Sequence, residues 1–442
     1  MNVPARWYIN GTSAGTIATS IEAGIRDGHL EPGARLPTVR ALATQLGVSP
    51  TTVAAVYRDL GHRGLLSAAG RLGTTVSRRP PVSSSWKPVF APGIRDLASG
   101  NPDPALLPDL TRHVRALEVE RIIYGSRADD PDLIDLARAE LARDGVPAER
   151  LTVVGGAMDG LERVLQAHLR PGDRVAVEDP GYPGNLDLLP ALGLVAIPMR
   201  VDDSGPVPDQ VEAVLEAGVE ALILTPRAQN PFGAALDAER AARLREVLER
   251  HQQVLLIEDD HAAGIAGAPS LSLCADTRPH WALVRSVSTG FGPDLRLAVL
   301  CGDATTIARV EGRRLLGTGW VSHILQRLVV SVWTDPATAA LLEVASRTYA
   351  ERRQALVTAL QDHGIAAHAR SGINVWIPVN DEASAAAALL DAGWGVLTGE
   401  RFRTRAARGI RVSVGSLQPD DARRLAGDLA NAFTAAAPAR IA

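Results

Sequence analysis

The spacing of apolar residues changes character twice along the chain. In Thr12–Asp27, Ile17, Ile21 and Ile25 recur at helical intervals, and the turn formers Glu31-Pro-Gly33 follow. Thr38–Leu46 carries Val39, Leu42, Ala43 and Leu46 on one face and is broken at Gly47. Ser49 is placed to cap a third helix, Pro50–Arg63, whose proline sits in the first turn, where no N–H is needed. Two short alternating runs, Leu65–Ser67 and Thr74–Ser77, are joined by Gly70-Arg-Leu-Gly73 and predict a two-stranded wing. Arg78–Pro92, rich in Pro and Ser, has neither period and reads as a linker.

Beyond the linker, apolar runs alternate with amphipathic ones. Arg174–Val177, Ala221–Leu224, Val254–Ile257 and Leu297–Cys301 read as buried strands, with helices such as Ala238–Arg250 between some of them. That is an α/β pattern, most simply built on a largely parallel sheet. From about Trp320 onward, long helices (Val321–Trp333, Ala337–His363) mix with short strands (Asn374–Ile377, Gly409–Val414), as a smaller α+β subdomain requires. The expected organisation is multidomain: a mainly α unit over 1–77, a linker over 78–92, and an α/β effector and dimerisation domain over 93–442. Its large subdomain is expected at about 125–320 and its small one at about 321–435.

Composition changes this picture little. A chain of 442 residues with 46% hydrophobic and 22% charged residues and a mean hydropathy of +0.03 fits a soluble protein of more than one domain. No apolar run approaches the roughly 20 residues of a membrane span. Asn2, Arg6, Asn10 and Thr12 interrupt any export signal, so a cytoplasmic address is expected. Cys274 and Cys301 have no metal-ligand spacing and are expected to be core thiols, with no metal bound.

Charge adds more. Residues 1–80 hold nine arginines against four carboxylates, a local surplus of +5 in a chain of net charge −4, so the N-terminal segment suits a polyanion. Helix, turn, helix and wing carrying positive charge can set one helix in the major groove while basic side chains grip phosphates. A small helical packing module with solvated arginines is the alternative. The motif Leu36-Pro-Thr-Val-Arg-Ala-Leu-Ala43, with Leu46-Gly-Val-Ser49, Thr51-Thr-Val53, Tyr57 and Gly64-Leu-Leu66, resembles the winged helix-turn-helix of the GntR family over residues 12–77. The resemblance implies double-stranded DNA as partner and Arg35, Arg40, Ser49, Thr51, Thr52 and Tyr57 as DNA-binding residues. Arg71 in the wing is a groove or phosphate contact by this reading, or a solvated side chain. Pro50 and Ala54 stand where family members often carry arginine, which implies weaker, less salt-sensitive binding per monomer and a compensating homodimer.

Motifs beyond the linker resemble the fold-type I aminotransferases, and their order after a GntR-like segment matches the MocR subfamily. A site for pyridoxal phosphate (PLP) needs a carboxylate for the ring nitrogen, a stacking ring, donors for O3′ and the phosphate, and an amine. The resemblance assigns Asp259 in Ile257-Glu-Asp-Asp-His261 to the ring nitrogen, Tyr182 in Glu178-Asp-Pro-Gly-Tyr-Pro183 to the stacking position, and Asn230 in Thr225-Pro-Arg-Ala-Gln-Asn-Pro-Phe-Gly233 to O3′. Gly156, Ala157 and Met158, preceding a helix, and Ser286, Ser288 and Arg296 would hold the phosphate. Tyr124 matches a tyrosine that reaches a neighbouring subunit's phosphate, and Arg411 matches the fork onto a substrate carboxylate.

The pattern fails at its centre. Seven residues before Arg296, where the family carries its cofactor-bonding lysine, stands Thr289, and the chain's single lysine is Lys87 in the linker. A guanidinium stays protonated and forms no imine, so no arginine can substitute. His261 replaces a common tyrosine and reads as a donor to O3′, as a base, or as a pocket wall. The expectation is a regulator without enzyme activity whose pocket takes PLP, a PLP–amino acid adduct or a related B6 compound non-covalently. The alternatives are an unrelated anionic metabolite, a lysine-free PLP enzyme, which Thr289 argues against, and a domain that only dimerises the DNA-binding heads.

Overall fold

The computed structural model describes residues 8–26, 29–62, 65–68, 73–77 and 90–435. Arg71, Lys87 and most of the expected linker lie outside them. Two compact units emerge: one takes in the described residues up to 77 together with 169–175 and 186–196, the other the remainder.

In the N-terminal segment, α1 (Ala14–Arg26) starts two residues later than its apolar period suggests. The Ser13 and Thr16 hydroxyls and N–H groups cap each other there, with Ser13 N–H to Thr16 Oγ1 at 3.0 Å and Thr16 N–H to Ser13 Oγ at 3.3 Å. In α2 (Val39–Leu46), the Thr38 side chain accepts from Ala41 N–H, and Gly47 closes the helix at φ 67°, a left-handed turn that glycine takes without strain. Ser49 Oγ accepts Thr52 N–H at 3.1 Å and so opens α3 (Pro50–His62). The wing is an antiparallel pair, β1 (Leu66–Ala68) and β2 (Thr74–Val76), and Arg35 bridges to Thr75 beside it. Ile17, Ile21, Leu42, Val53, Val56 and Leu60 form the core.

In the rest of the chain, β3 (Arg95–Asp96), α4 (Leu110–Arg115) and α5 (Pro131–Arg143) come first. Then follow β4 (Leu151–Val154), α6 (Ala157–His168), β5 (Arg174–Asp179), α7 (Pro183–Ala191), β6 (Val195–Asp202) and β7 (Gly205–Pro206). Next are α8 (Pro208–Glu216), β8 (Ala221–Leu224), α9 (Ala238–Glu249), β9 (Leu255–Asp260), β10 (Trp281–Ser286), α10 (Ser288–Phe291), β11 (Ala298–Gly302) and α11 (Ala304–Leu315). The last stretch holds α12 (His323–Trp333), α13 (Pro336–Asp362), β12 (Asn374–Pro378), α14 (Glu382–Asp391), β13 (Trp394–Gly395), β14 (Leu397–Thr398), β15 (Gly409–Ser413) and α15 (Pro419–Ala435).

Eight strands form one sheet in the order β4-β11-β10-β9-β8-β5-β6-β7. Strands β8, β9 and β10 are parallel, as expected, but β11 pairs antiparallel with both β10 and β4. The reason is the short connection: Val287–Leu297, with only a four-residue helix, cannot carry the chain back across the sheet for a parallel strand. A three-stranded sheet, β12-β15-β14, joins α13, α14 and α15 in the α+β tail, packed around Leu356, Val375, Ile410, Leu425 and Leu429. Among the described residues no single helix is long and apolar enough to cross a membrane.

Candidate functional site

Alternation along a strand decides what each acid of the Glu258-Asp-Asp260 run does. Glu258 and Asp260 share one face and are fully satisfied there. Glu258 accepts from Ser272 Oγ at 2.7 Å and Leu273 N–H at 2.6 Å, and burial, with the Asp260 charge nearby, pushes its carboxyl up to about 7. Asp260 is opposed by burial, yet the Arg227 and Arg285 guanidiniums hold its carboxyl below the usual range. Asp259 faces the other way. It is 4% exposed, burial raises its carboxyl despite nearby His261, and its Oδ1 has no hydrogen-bond partner. A buried carboxylate oxygen left unsatisfied is costly, and a cationic N–H donor is the group that would complete it.

The expected neighbours of Asp259 partly converge. Thr289 Oγ1 donates to the His261 carbonyl at 2.6 Å, so the residue at the expected lysine position sits against the end of β9. Asn230 Oδ1 accepts from Arg411 Nη1 at 3.2 Å, which leaves the amide NH2 as its donor end. Arg411 is 1% exposed, donates also to the Ala98 carbonyl, lies 5.0 Å from the Phe402 ring centre, and has an unpartnered Nε. Burial lowers its pKa to about 10, with Tyr182 and Asp96 opposing. No carboxylate pairs with it among the described residues, so the guanidinium calls for an anion from outside the chain.

At the start of α6, Gly156 adopts φ 106°, and a side chain there would come within 3.1 Å of the Arg296 guanidinium. The backbone conformation is what favours glycine here, since the exposed Arg296 side chain could move aside. Arg296 is exposed and has no side-chain partner among the described residues. The neighbouring Gly155 N–H is already taken by Asp159 Oδ2 at 2.8 Å, whereas Ala157 and Met158 open the helix, so Arg296 and this helix end form an open cationic corner. Ser286 Oγ accepts from Ser288 N–H at 3.2 Å. Ser288 departs from expectation: its hydroxyl donates to the Leu295 carbonyl at 2.7 Å, closing the turn before β11, and its proton does not face an anion.

Two other expected residues stand apart. Tyr124 is 92% exposed and packs edge-on against Trp320. Tyr57 is no surface contact for DNA but a core residue, 7% exposed, whose hydroxyl donates to the Pro37 carbonyl at 2.8 Å and so ties α3 to the start of α2. Burial raises its pKa. Arg35, Arg40, Ser49 and Thr51 are exposed and Thr52 is half-buried.

Sequence reasoning missed several groups. Gly100, at φ 69°, lets the chain approach the Arg411 guanidinium, 3.4 Å from where a Cβ would stand. Asp179 gathers the N–H groups of Thr404, Arg405 and Ala406, while Gly181 N–H donates to the Phe402 carbonyl, fixing the Tyr182 loop to the loop before β15. The signal for Asp179 was present in the quoted Glu-Asp-Pro-Gly-Tyr motif; none existed for Gly100.

Residues 96–429 match the aminotransferase class I and II family, and residues 13–76 match the gntR family of bacterial regulatory proteins. The chain is 41% identical to the vitamin B6 salvage pathway transcriptional repressor PtsJ of Salmonella typhimurium, over 96% of this chain and 99% of that protein. It is 30% identical to the pyridoxine biosynthesis transcriptional regulator PdxR of Corynebacterium glutamicum, over 76% of each chain. Among solved structures, an archaeal alanine:glyoxylate aminotransferase superposes with a TM-score of 0.71 at 21% identity, covering 78% of this chain and 91% of the other, a likeness of fold alone.

Proposed function

The chain belongs to the aminotransferase class I and II family, fused to a gntR-family regulatory domain, and from that premise we propose that it is a cytoplasmic, DNA-binding transcriptional regulator that senses a B6 compound without bonding to it. The reading is supported chiefly by Asp259, whose buried, unpartnered oxygen fits a protonated pyridine nitrogen. When bound, PLP or a PLP–amino acid adduct supplies a cationic ring, a phosphate and an aldehyde or imine carbon. The residues present suit those groups. Asp259 accepts the ring N–H, Tyr182 covers the ring, and the NH2 end of Asn230 donates to O3′. Gly156, Ala157, Met158, Ser286 and Arg296 hold the phosphate, and Arg411 forks onto a carboxylate. Thr289, at the position of the lysine, offers only a hydroxyl that already donates to the His261 carbonyl, so neither a covalent bond nor amine-mediated proton transfer is available. His261, whose carbonyl accepts from that hydroxyl, is the residue next to the paired acids.

The active form is a homodimer in this proposal: Tyr124 is exposed in the single chain and serves a partner's phosphate, and two heads address two DNA half-sites. Regulation follows if the ligand binds the DNA-competent and incompetent states with different affinity.

Titration of the purified protein with PLP and pyridoxamine phosphate, read by absorbance, tests this. Binding reversed by dialysis, no added mass after borohydride, and no keto acid formation from amino acids are the expected results. A phosphopyridoxyl adduct on the polypeptide, or sustained transamination, defeats the proposal. If neither compound binds, the open guanidinium of Arg296 and the buried Arg411, which has no carboxylate partner among the described residues, favour an unrelated anionic metabolite instead.

A further inference from the structure

Three consecutive residues of the loop carrying Asn230 are tied to three different parts of the molecule. Arg227 forks onto Asp260, with Nε to Oδ1 and Nη2 to Oδ2 both at 2.9 Å. Ala228 stands in the left-handed region at φ 55°, and its N–H donates to Ser371 Oγ at 2.7 Å. Gln229 donates to Glu178 Oε2 at 3.0 Å and to the Pro180 carbonyl at 2.8 Å. A non-glycine residue in that conformation is strained and persists only where its surroundings hold it. Asn230 comes next in the chain, so its amide inherits whatever precision these anchors confer.

The Arg227 anchor is the one that ties the loop directly to β9. Both partners are buried, and a two-point guanidinium–carboxylate fork fixes orientation as well as distance. Asp260 is also held by Arg285 Nε at 2.8 Å, and Arg285 pairs in turn with Asp144 at 2.7 Å and Glu140 at 3.3 Å. Trp333 Nε1 donates to Glu140 Oε2 at 3.1 Å, so the network reaches α5 and α12. Asp260 is therefore a fixed point in the chain beside Asp259, on the opposite face of β9.

We infer, on the basis of the B6 reading above, that Arg227 is a positioning residue: its fork onto Asp260 clamps the Asn230 loop to β9 and sets the Asn230 amide relative to the Asp259 carboxylate. Those two groups would read two positions of one ring that lie meta to each other, a protonated ring nitrogen and a ring hydroxyl. The clamp thereby tunes the site to 3-hydroxypyridines rather than to phosphate esters in general.

Arg227→Met is the informative variant: Asp260 keeps Arg285 on Oδ2, while its buried Oδ1 loses its donor. Its melting temperature is expected to fall through the loss of that buried fork, so ligand affinities are compared well below the transition. Pyridoxamine phosphate affinity is expected to fall about tenfold while affinity for inorganic phosphate holds. Without ligand, amide exchange at Ala228 and Asn230 is expected to accelerate. Arg227→Lys, which keeps the charge but cannot fork, is expected to follow the methionine variant and supplies the test if that one fails to fold. Unchanged exchange, equal loss of both ligands, or full recovery with lysine overturns the assignment. If the parent protein binds no pyridoxamine phosphate, the B6 reading falls, and the exchange measurement alone decides whether Arg227 clamps the loop.

Discussion

In the N-terminal segment the core runs from Ile9 to Val76 through apolar and aromatic side chains, and Arg35 and Arg40 stay at the surface. Around the end of β9, by contrast, Arg227, Asp259, Asp260, Arg285 and Arg411 are all 6% exposed or less. Exposed charges cost little to fold and are screened by salt, which suits a partner met as a long polyanion. Buried charges must be matched one by one, so the atoms left unmatched, Asp259 Oδ1 and Arg411 Nε, describe the complement of what the cleft would take. Where function lies outside the core, the core says little about the partner; where it lies inside, the unpaired atoms say a good deal.

The contrast can be broken most decisively at Asp259. Asp259→Asn is expected to weaken pyridoxamine phosphate binding roughly 10- to 100-fold, because a charge-assisted bond is lost. Without ligand it is expected to cost no thermal stability, since the carboxylate is buried without a partner on one oxygen. Calorimetric titration and thermal melts read both, and parental affinity in the variant would remove the cleft's half of the comparison.

A smaller effect is expected at the other end. Arg40→Ala is expected to reduce the slope of log affinity for duplex DNA against log salt by about 0.9, whereas pyridoxamine phosphate binding, in which Arg296 is the one exposed cation among the proposed contacts, should vary less with salt. Tyr57→Phe serves as the internal control: loss of its bond to the Pro37 carbonyl should cost about 1 kcal/mol of stability and leave that slope untouched. A changed slope in Tyr57→Phe would return the residue to the DNA interface.

The smallest effect concerns pH. The Glu258 carboxyl titrates at about 7, above its ordinary 4.5, mainly through burial, so the folded state holds the extra proton between those values. Its stabilising contribution is complete below 4.5 and is lost as pH rises through 7. Glu258→Gln should flatten that loss in melts taken from pH 5 to 8. An unaltered pH profile would show that Glu258 is not the source.

Much of this protein is written locally. Ser49 opening α3, Gly47 closing α2 and the spacing of Ile17 and Ile21 are decided within a turn or two, and the sequence places them within a residue or so of where they occur. The motifs around Asp259, Asn230, Tyr182 and Arg411 were likewise legible as motifs, as was the lone lysine at 87. Partner choice was not. That Asp260 meets Arg227, that Ser288 donates to Leu295, that Tyr57 lies inside, and that Gly100 makes room at Arg411 depend on which segments are brought together. Short-range periodicity and capping fix an element's conformation; burial and hydrogen-bond pairing are settled only when the elements pack, because only then does each polar atom lose water and need a particular replacement.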